Sequence, residues 1–242
     1  MRDDIKQMIS VPGGDIVMDW APVIVSFRTA VCATAATMVL GILAARWRLK
    51  RQGAAVEILD GILLFPLALP PTVVGLIVLM VFGRQSPIGG ALAEIGLTVV
   101  FTWPATVIAA TVVAFPIMYQ TAKGAFLQVD GELLDAARVF GYSERRILWQ
   151  VMLPLAWPGI LAGLILTFVR ALGEFGATLM LAGNIPGQTQ TMPIAIFFHV
   201  EGGNMTGAAL LALVIVAISG GALFCLTRLM PMGCGSARRD GR

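Results

Sequence analysis

Five separated apolar runs constrain this chain more than any other feature. They cover residues 20–45, 58–82, 99–121, 158–181 and 208–229, and each is long enough for a helix to cross a bilayer, which takes about 20 residues. Hydrophobic residues make up 57% of the 242 and charged ones only 13%, about half the usual charged share of a soluble domain. A water-soluble domain of this size has too little interior to hide so much apolar surface, whereas lipid accepts it. The expectation is an all-α polytopic membrane protein with five transmembrane helices.

An odd number of spans puts the two ends on opposite sides, and Lys and Arg in short loops choose the sides. Arg46, Arg48, Lys50 and Arg51 follow the first run. Lys123, Arg138, Arg145 and Arg146 follow the third, and Arg228, Arg238, Arg239 and Arg242 follow the fifth. The opposite side holds only Arg2, Lys6 and Arg84. The basic side is therefore expected to be cytoplasmic, with the N-terminus outside and the C-terminus inside. That divides the chain into a periplasmic tail (1–19), a membrane domain (20–229) with a cytoplasmic loop (122–157), and a cytoplasmic tail (230–242). The tail before the first run carries Asp3, Asp4, Asp15 and Asp19 and no long apolar core, unlike a signal peptide. Cys32, Cys225 and Cys234 form no pair or metal spacing and read as small packing residues. Arg28, inside the first run, reads as a snorkelling residue.

Two runs contain features a plain span lacks. The second holds Pro66, Pro70 and Pro71, followed by Gly75. Proline removes a backbone donor and kinks a helix, which either bends the span statically or opens it toward a pathway. The fourth holds Arg170 and Glu174, spaced to share one helix face. A charge in the membrane costs about 2.5 kcal/mol or more, so the pair is either a pathway element or a neutralised structural contact. Gly173 and Gly176 beside it suit close helix packing. Outside, a short helix is expected within 188–200, capped by Thr191 with Pro193 in its first turn.

The loop between the third and fourth runs is too polar to span a membrane, yet it is patterned. Asp130 suits an N-cap, Leu133, Ala136, Ala137 and Phe140 recur at helical spacing, and Gly141 is a C-terminal stop. Ser143 caps a second short helix with Ile147, Leu148 and Val151 on its apolar side, and Pro154 is expected to end it or kink its junction with the fourth span. So short a helix is marginal alone in water. Its apolar face must pack on the rest of this protein or on a soluble partner.

The residues of this loop carry a resemblance. Leu134-Asp135-Ala136-Ala137-Arg138-Val139-Phe140-Gly141, then Val151-Met152-Leu153-Pro154 and Pro158-Gly159-Ile160, resemble the Glu-Ala-Ala loop of type I ABC importer permeases, with Asp135 where Glu is usual. Leu69-Pro70-Pro71, Phe82-Gly83-Arg84, Arg170-Ala171-Leu172-Gly173-Glu174-Phe175-Gly176 and Gly183-Asn184-Ile185-Pro186-Gly187 look like the molybdate permease subfamily. Sulfate and thiosulfate permeases share the last two pieces. The resemblance implies that Asp135, Ala136, Ala137 and Gly141 meet a cytosolic ATPase. It points to Pro70, Pro71, Arg170, Gly173, Glu174 and Phe175 as pathway or gate residues. Asn184, Pro186 and Gly187 would meet a periplasmic molybdate-binding protein. It further implies a homodimer of permeases with two ATPase subunits, which hold the ATP and magnesium.

The chain's own inventory agrees with a non-enzymatic role. Its three lysines, Lys6, Lys50 and Lys123, never follow a glycine, so no GxxxxGK[ST] phosphate loop is present. His199 is the only histidine, and no clustered metal ligands or nucleophile motif occur. The basic residues read as membrane orientation and lipid contact, not nucleic-acid binding. The rivals to a molybdate permease are a permease for sulfate, thiosulfate or tungstate and a stand-alone secondary anion transporter.

Overall fold

A computed structural model describes residues 19–51 and 53–229. Except for Asp19, the two expected tails lie outside the described residues, and so does Cys234. The described elements are all helical. They are α1 (Ala21–Leu49), α2 (Ala54–Ala68), α3 (Pro71–Phe82), α4 (Pro87–Glu94), α5 (Trp103–Leu127), α6 (Gly131–Val139), α7 (Glu144–Ile147), a π-turn (Leu148–Met152), α8 (Leu153–Leu172), α9 (Gly176–Ala182), α10 (Met192–Glu201) and α11 (Met205–Leu229).

A seam of small residues holds the centre of the bundle. Thr29, Ala33, Thr37, Gly41 and Ala45 recur every fourth position of α1 and are all buried. They face Thr106, Ala110, Ala114, Met118 and Ala122 of α5, also buried. Small side chains let two backbones approach closely, which is how helices gain packing energy where lipid offers no hydrophobic drive. The Thr29 and Thr106 hydroxyls meet at 2.8 Å, 77 positions apart. A Cβ added at Gly41 would lie 2.9 Å from Met118 Cγ, at the same offset, so α1 and α5 run parallel in fixed register. On the neighbouring face of α5, Gly163 faces Thr121 and Gly159 faces Ala125. Numbers that fall as the others rise make α8 antiparallel to α5.

That register decides how many times the chain crosses. Near one end of α1, Arg28 stacks over the Trp103 ring at 4.7 Å. Near the other end, Arg48 donates to Asp60 at 3.3 Å. About twenty residues of α1 separate these levels, roughly 30 Å of helix. The chain from Asp60 to Trp103 therefore traverses the thickness of the bundle. α2 and α3, bent by 116° where they meet, are one broken span and not a re-entrant loop. With the four longer apolar helices the crossings number five, as expected.

Several sequence expectations are corrected. The fourth run is not one helix: α8 ends at Leu172 and α9 begins at Gly176. Pro154 does not end the preceding helix. The chain runs helically from Glu144 to Leu172 through the π-turn, a widened turn that precedes a ring able neither to donate an N–H nor to tolerate a normal carbonyl four residues back. Thr191 occupies the N-cap position of α10 without a side-chain cap bond. Instead, the Met192 N–H donates to Ser26 Oγ of α1 at 2.7 Å. Met192 and Ala195 join the core with Ala30 and Leu211, so α10 is packed into the bundle. Arg28 is exposed and stacks on the Trp103 ring, a contact its place in the first run did not suggest. Cys32 and Cys225 are exposed on their helices instead of packed inside.

Candidate functional site

Two helix breaks meet inside the bundle. α2 stops before Leu69 and Pro70, which are extended, because a proline at Pro70 and another at Pro71 deny two successive backbone donors to a continuing helix. α8 stops at Gly173, leaving Glu174 and Phe175 non-helical before α9. The half-helices that follow the two breaks pack against each other. A Cβ on Gly176 would lie 3.0 Å from Thr72 Cγ2 and 3.4 Å from Pro71 Cβ, and one on Gly75 would lie 2.6 Å from Ala177 Cα. The expected pathway residues Pro70, Pro71, Gly173, Glu174 and Phe175 are thus gathered around one junction, with Arg170 one turn below it.

Arg170 and Glu174 pair as expected, but not on one continuous helix. Arg170 stands in the last turn of α8, while Glu174 lies past its end. Glu174 is 2% exposed. Its Oε1 accepts the Ala177 N–H at 2.9 Å and so caps α9. Its Oε2 lies 2.7 Å from Arg170 Nη1, a charge contact without hydrogen-bond alignment. A carboxylate at a helix N-terminus and a guanidinium at a C-terminus each complement the local helix dipole. The pair therefore ties two half-helices across the break. The Phe175 ring rests on Phe197 of α10, centroids 5.4 Å apart.

The cytoplasmic-type loop forms the predicted helix pair, each capped as its sequence required. Asp130 Oδ1 accepts the Glu132 N–H at 2.9 Å. Gly141 adopts φ +78°, and the Gly141 and Tyr142 N–H groups close on the carbonyls of Arg138 and Ala137, a left-handed stop that favours glycine. Ser143 Oγ accepts the Arg146 N–H at 3.4 Å. The faces of α6 are divided more finely than its spacing suggested. Leu134 packs on the core cluster around Tyr119 and Phe126, and Ala137 is buried. Asp135 and Ala136 are exposed, and Val139 and Phe140 are 87% and 81% exposed. Leu133, Ala136 and Phe140 edge a shallow groove with Val151 and Pro154.

Sequence reading missed the charged contacts that fasten this loop. The Glu144 carboxylate accepts from Arg46 at 2.8 Å and Arg138 at 3.0 Å, with Lys50 at 3.5 Å. Arg138 also reaches Asp135 at 2.5 Å. The hydrogen bond from Arg138 holds the Glu144 carboxyl below its ordinary range, and the charges of Arg138, Lys50 and Arg46 add to it. Glu144 and Arg46 are 98 positions apart, so no local pattern revealed that pair, whereas the Asp135–Arg138 spacing of three was there to be read.

On the opposite side, the loop 183–190 is built around a buried anchor. Thr189 Oγ1 accepts the Ile185 N–H at 3.0 Å, and Gly183 and Gly187 take positive φ. Pro186 and Gly187 are exposed at its tip, and Asn184 is half-buried. This loop and the α6–α7 segment stand at opposite ends of the bundle.

Five crossings, two of them broken and one of those breaks bridged by a charged pair, carry a capped helical arm at one end, and family and fold relatives give this architecture its class: the membrane-spanning component of an ABC importer. A chain of the inward-facing MetNI methionine ABC transporter has the same fold, with a TM-score of 0.62 at 19% identity over 88% of this chain and 92% of that one. The protein belongs to the family of binding-protein-dependent transport system inner membrane components, whose pattern matches residues 37–230, and it is accordingly a multi-pass inner-membrane protein. Among its relatives, YvgM of Bacillus subtilis (strain 168), named provisionally as a molybdenum transport system permease, is 46% identical over 83% of this chain and 88% of its own length. The molybdenum transport system permease ModB of Escherichia coli (strain K12) is 39% identical over 83% and 89%. A Chlorokybus atmophyticus protein, named provisionally as a sulfate transport system permease, is 36% identical over 81% and 68%.

Proposed function

We propose that this chain is the permease subunit of an ATP-driven importer that moves molybdate inward across the inner membrane. The N-terminus lies outside and the C-terminus inside, as the basic loops demand. Two copies form a homodimer, and α11, which buries only Ala208 and Leu211 in its own chain, leaves ample apolar surface for lipid and for a second copy. Two cytosolic ATPase subunits hold ATP and magnesium and carry out the hydrolysis, and a periplasmic molybdate-binding protein delivers the anion. The molybdenum transport names of the relatives at 46% and 39% identity support the substrate.

The single observation that carries the coupled mechanism is α6. It is capped at both ends, braced by Glu144, and presents Val139 and Phe140 almost fully exposed. Large apolar side chains displayed on an ordered loop read as a partner-binding surface. Asp135, Ala136 and Gly141 lie on or beside this surface, and Ala137 seats the helix on the bundle from behind. Closure of the ATPases moves α6, and the ATPase must bind one permease state better than the other to shift it. The junction of Pro70, Pro71, Gly173, Glu174 and Phe175 is the gate, where a broken helix is sustained because it lines a pathway. Arg170 eases the passing dianion while Glu174 restrains it. Asn184, Pro186 and Gly187 receive the binding protein.

Reconstitution of this permease with its ATPase and binding protein in vesicles tests the reading: molybdate uptake should require MgATP. Uptake that persists without the ATPase and follows an ion gradient would identify a secondary transporter instead. The 36% identical sulfate-named relative favours a second reading, sulfate transport, and competition by sulfate and tungstate against labelled molybdate separates the anions.

A further inference from the structure

We propose that Asp60 is a positioning residue for transport: its carboxylate fastens the inner half of the broken span to the α1–α5 pair, so that movement of the coupling segment is delivered to the break at Leu69–Pro70. The inference rests on the permease reading above and assigns Asp60 a part in it.

α2 buries none of its residues. Leu63 and Leu64 pack only at the edge of the cluster around Tyr119, and Val56 and Pro66 are only partly buried. What holds it is Asp60. Oδ1 accepts the Tyr119 O–H, Oδ2 accepts from Lys123 at 2.5 Å, and Arg48 Nε donates to the same oxygen at 3.3 Å. Asp60 and both cations are largely shielded, with 14% of the Asp60 side chain exposed and 21% of each of theirs. A shielded carboxylate with three donors from two other helices sets position far more sharply than two edge leucines. Removing one partner of such a cluster leaves a costly uncompensated charge.

The cluster stands where the coupling segment reaches the spans. Arg46 of α1 takes Glu144 of α7 at 2.8 Å, and Arg48, two residues on, takes Asp60 of α2. One end of α1 thus grips the coupling segment with one guanidinium and the broken span with the next. From Asp60 the chain leads along α2 to the break. Beyond it, α3 lies against α9, where Gly75 abuts Ala177, and the Ala177 N–H is held by Glu174. Each link is a direct contact between rigid helices. A swing of α6 relayed through α1 therefore has a bonded route to the gate that does not pass along α8.

The test uses the complete importer in proteoliposomes, with ATP hydrolysis and molybdate uptake measured on the same vesicles. Asp60→Asn should assemble and hydrolyse MgATP within about twofold of wild type, yet move about tenfold less molybdate per ATP, the scale of a broken contact network. The conservative exchange Asp60→Glu, which keeps a carboxylate for Arg48, Tyr119 and Lys123, should restore much of that ratio, and the fall in molybdate per ATP at near wild-type hydrolysis is the readout that a merely structural role would not give. Spin labels at the exposed Ile58 and Leu127 should keep one separation through ATP binding in wild type and spread over several in Asp60→Asn. An unchanged molybdate-to-ATP ratio in Asp60→Asn overturns the inference, and so does a parallel loss of hydrolysis and uptake that the exchange does not restore. A wild type that moves neither molybdate nor sulfate with MgATP sinks the permease reading itself. The label distances then still decide on Asp60, because an unaltered distribution in Asp60→Asn overturns its role as a fastener.

Discussion

Glu174 binds backward and forward at once: its carboxylate meets the Arg170 guanidinium at 2.7 Å and accepts the Ala177 N–H at 2.9 Å, so one buried side chain joins the end of α8 to the start of α9. The two contacts differ in kind and can be separated by substitution. Glu174→Gln retains an oxygen for the cap and loses the charge, whereas Glu174→Ala loses both. The alanine variant should be less stable than the glutamine variant by about 1 kcal/mol, the worth of a helix cap. Thermal unfolding of the purified permease in detergent checks the order. Equal stability of the two variants would mean the cap contributes nothing.

Gly75 should tolerate no side chain. An added Cβ would lie 2.6 Å from the Ala177 Cα, and backbone cannot yield as a side-chain tip can. Gly75→Ala should therefore part α3 from α9 and cost about 1–3 kcal/mol, the usual range for overpacking. Gly124, in the interior of α5 with open space where its Cβ would be, is the control. Gly124→Ala should be neutral or stabilising by up to about 1 kcal/mol. Melting temperatures of both variants in the same detergent decide.

Gly141 and Phe140 should fail in different ways. Nothing lies within 4 Å of a Cβ at Gly141, but its φ is +78°, so Gly141→Ala strains the backbone by roughly 1–2 kcal/mol and loosens the arm. Phe140 is 81% exposed, so Phe140→Ala should leave permease stability unchanged while weakening ATPase attachment by about tenfold or more, as loss of an aromatic anchor does. A titration of the ATPase against permease in nanodiscs, alongside a melting curve, distinguishes them. Wild-type attachment by Phe140→Ala would remove α6 as the docking element.

Glu144 gives a pH dependence with a definite sign. Its folded carboxyl is held below the ordinary value of 4.5, chiefly by the Arg138 hydrogen bond. The contribution is therefore fully present above pH 4.5 and fades as pH falls through the lower, folded value. With 44% of the side chain exposed, solvent screening limits it to about 1 kcal/mol or less. Glu144→Gln should thus melt slightly below wild type at a constant margin from pH 6 to 8, and the margin should close below pH 4.5. A margin that widened on acidification would contradict the pairing.

Much of the α6–α7 arm was legible because its determinants are local. Asp130, Gly141 and Ser143 act on backbone groups within a few residues of themselves, so their spacing was enough to read them. Arg170 and Glu174 were legible as a pair for the same reason. The break between them was not, because Gly173, Glu174 and Phe175 sit inside an apolar run whose mean hydropathy is blind to backbone direction. The clusters at Asp60 and Glu144 were missed because each needs a partner from a distant helix, Tyr119 59 positions from Asp60 and Arg46 98 positions from Glu144. A single charge at the edge of an apolar run looks like a boundary.

The order of residues alone determined the number of spans, the expected sidedness and the caps of the arm, since these follow from hydropathy, loop charge and short-range hydrogen bonding. Which helices touch was decided only by the tertiary structure. The every-fourth-residue series from Thr29 to Ala45 announces a close-packing face, but nothing in it names α5 as the partner or sets the helices parallel. Nor does any run of sequence say that the break at Pro70 will rest against the break at Gly173. Such contacts depend on surfaces that exist only once separate helices are side by side, where shape and paired charge select one arrangement among many of equal hydropathy.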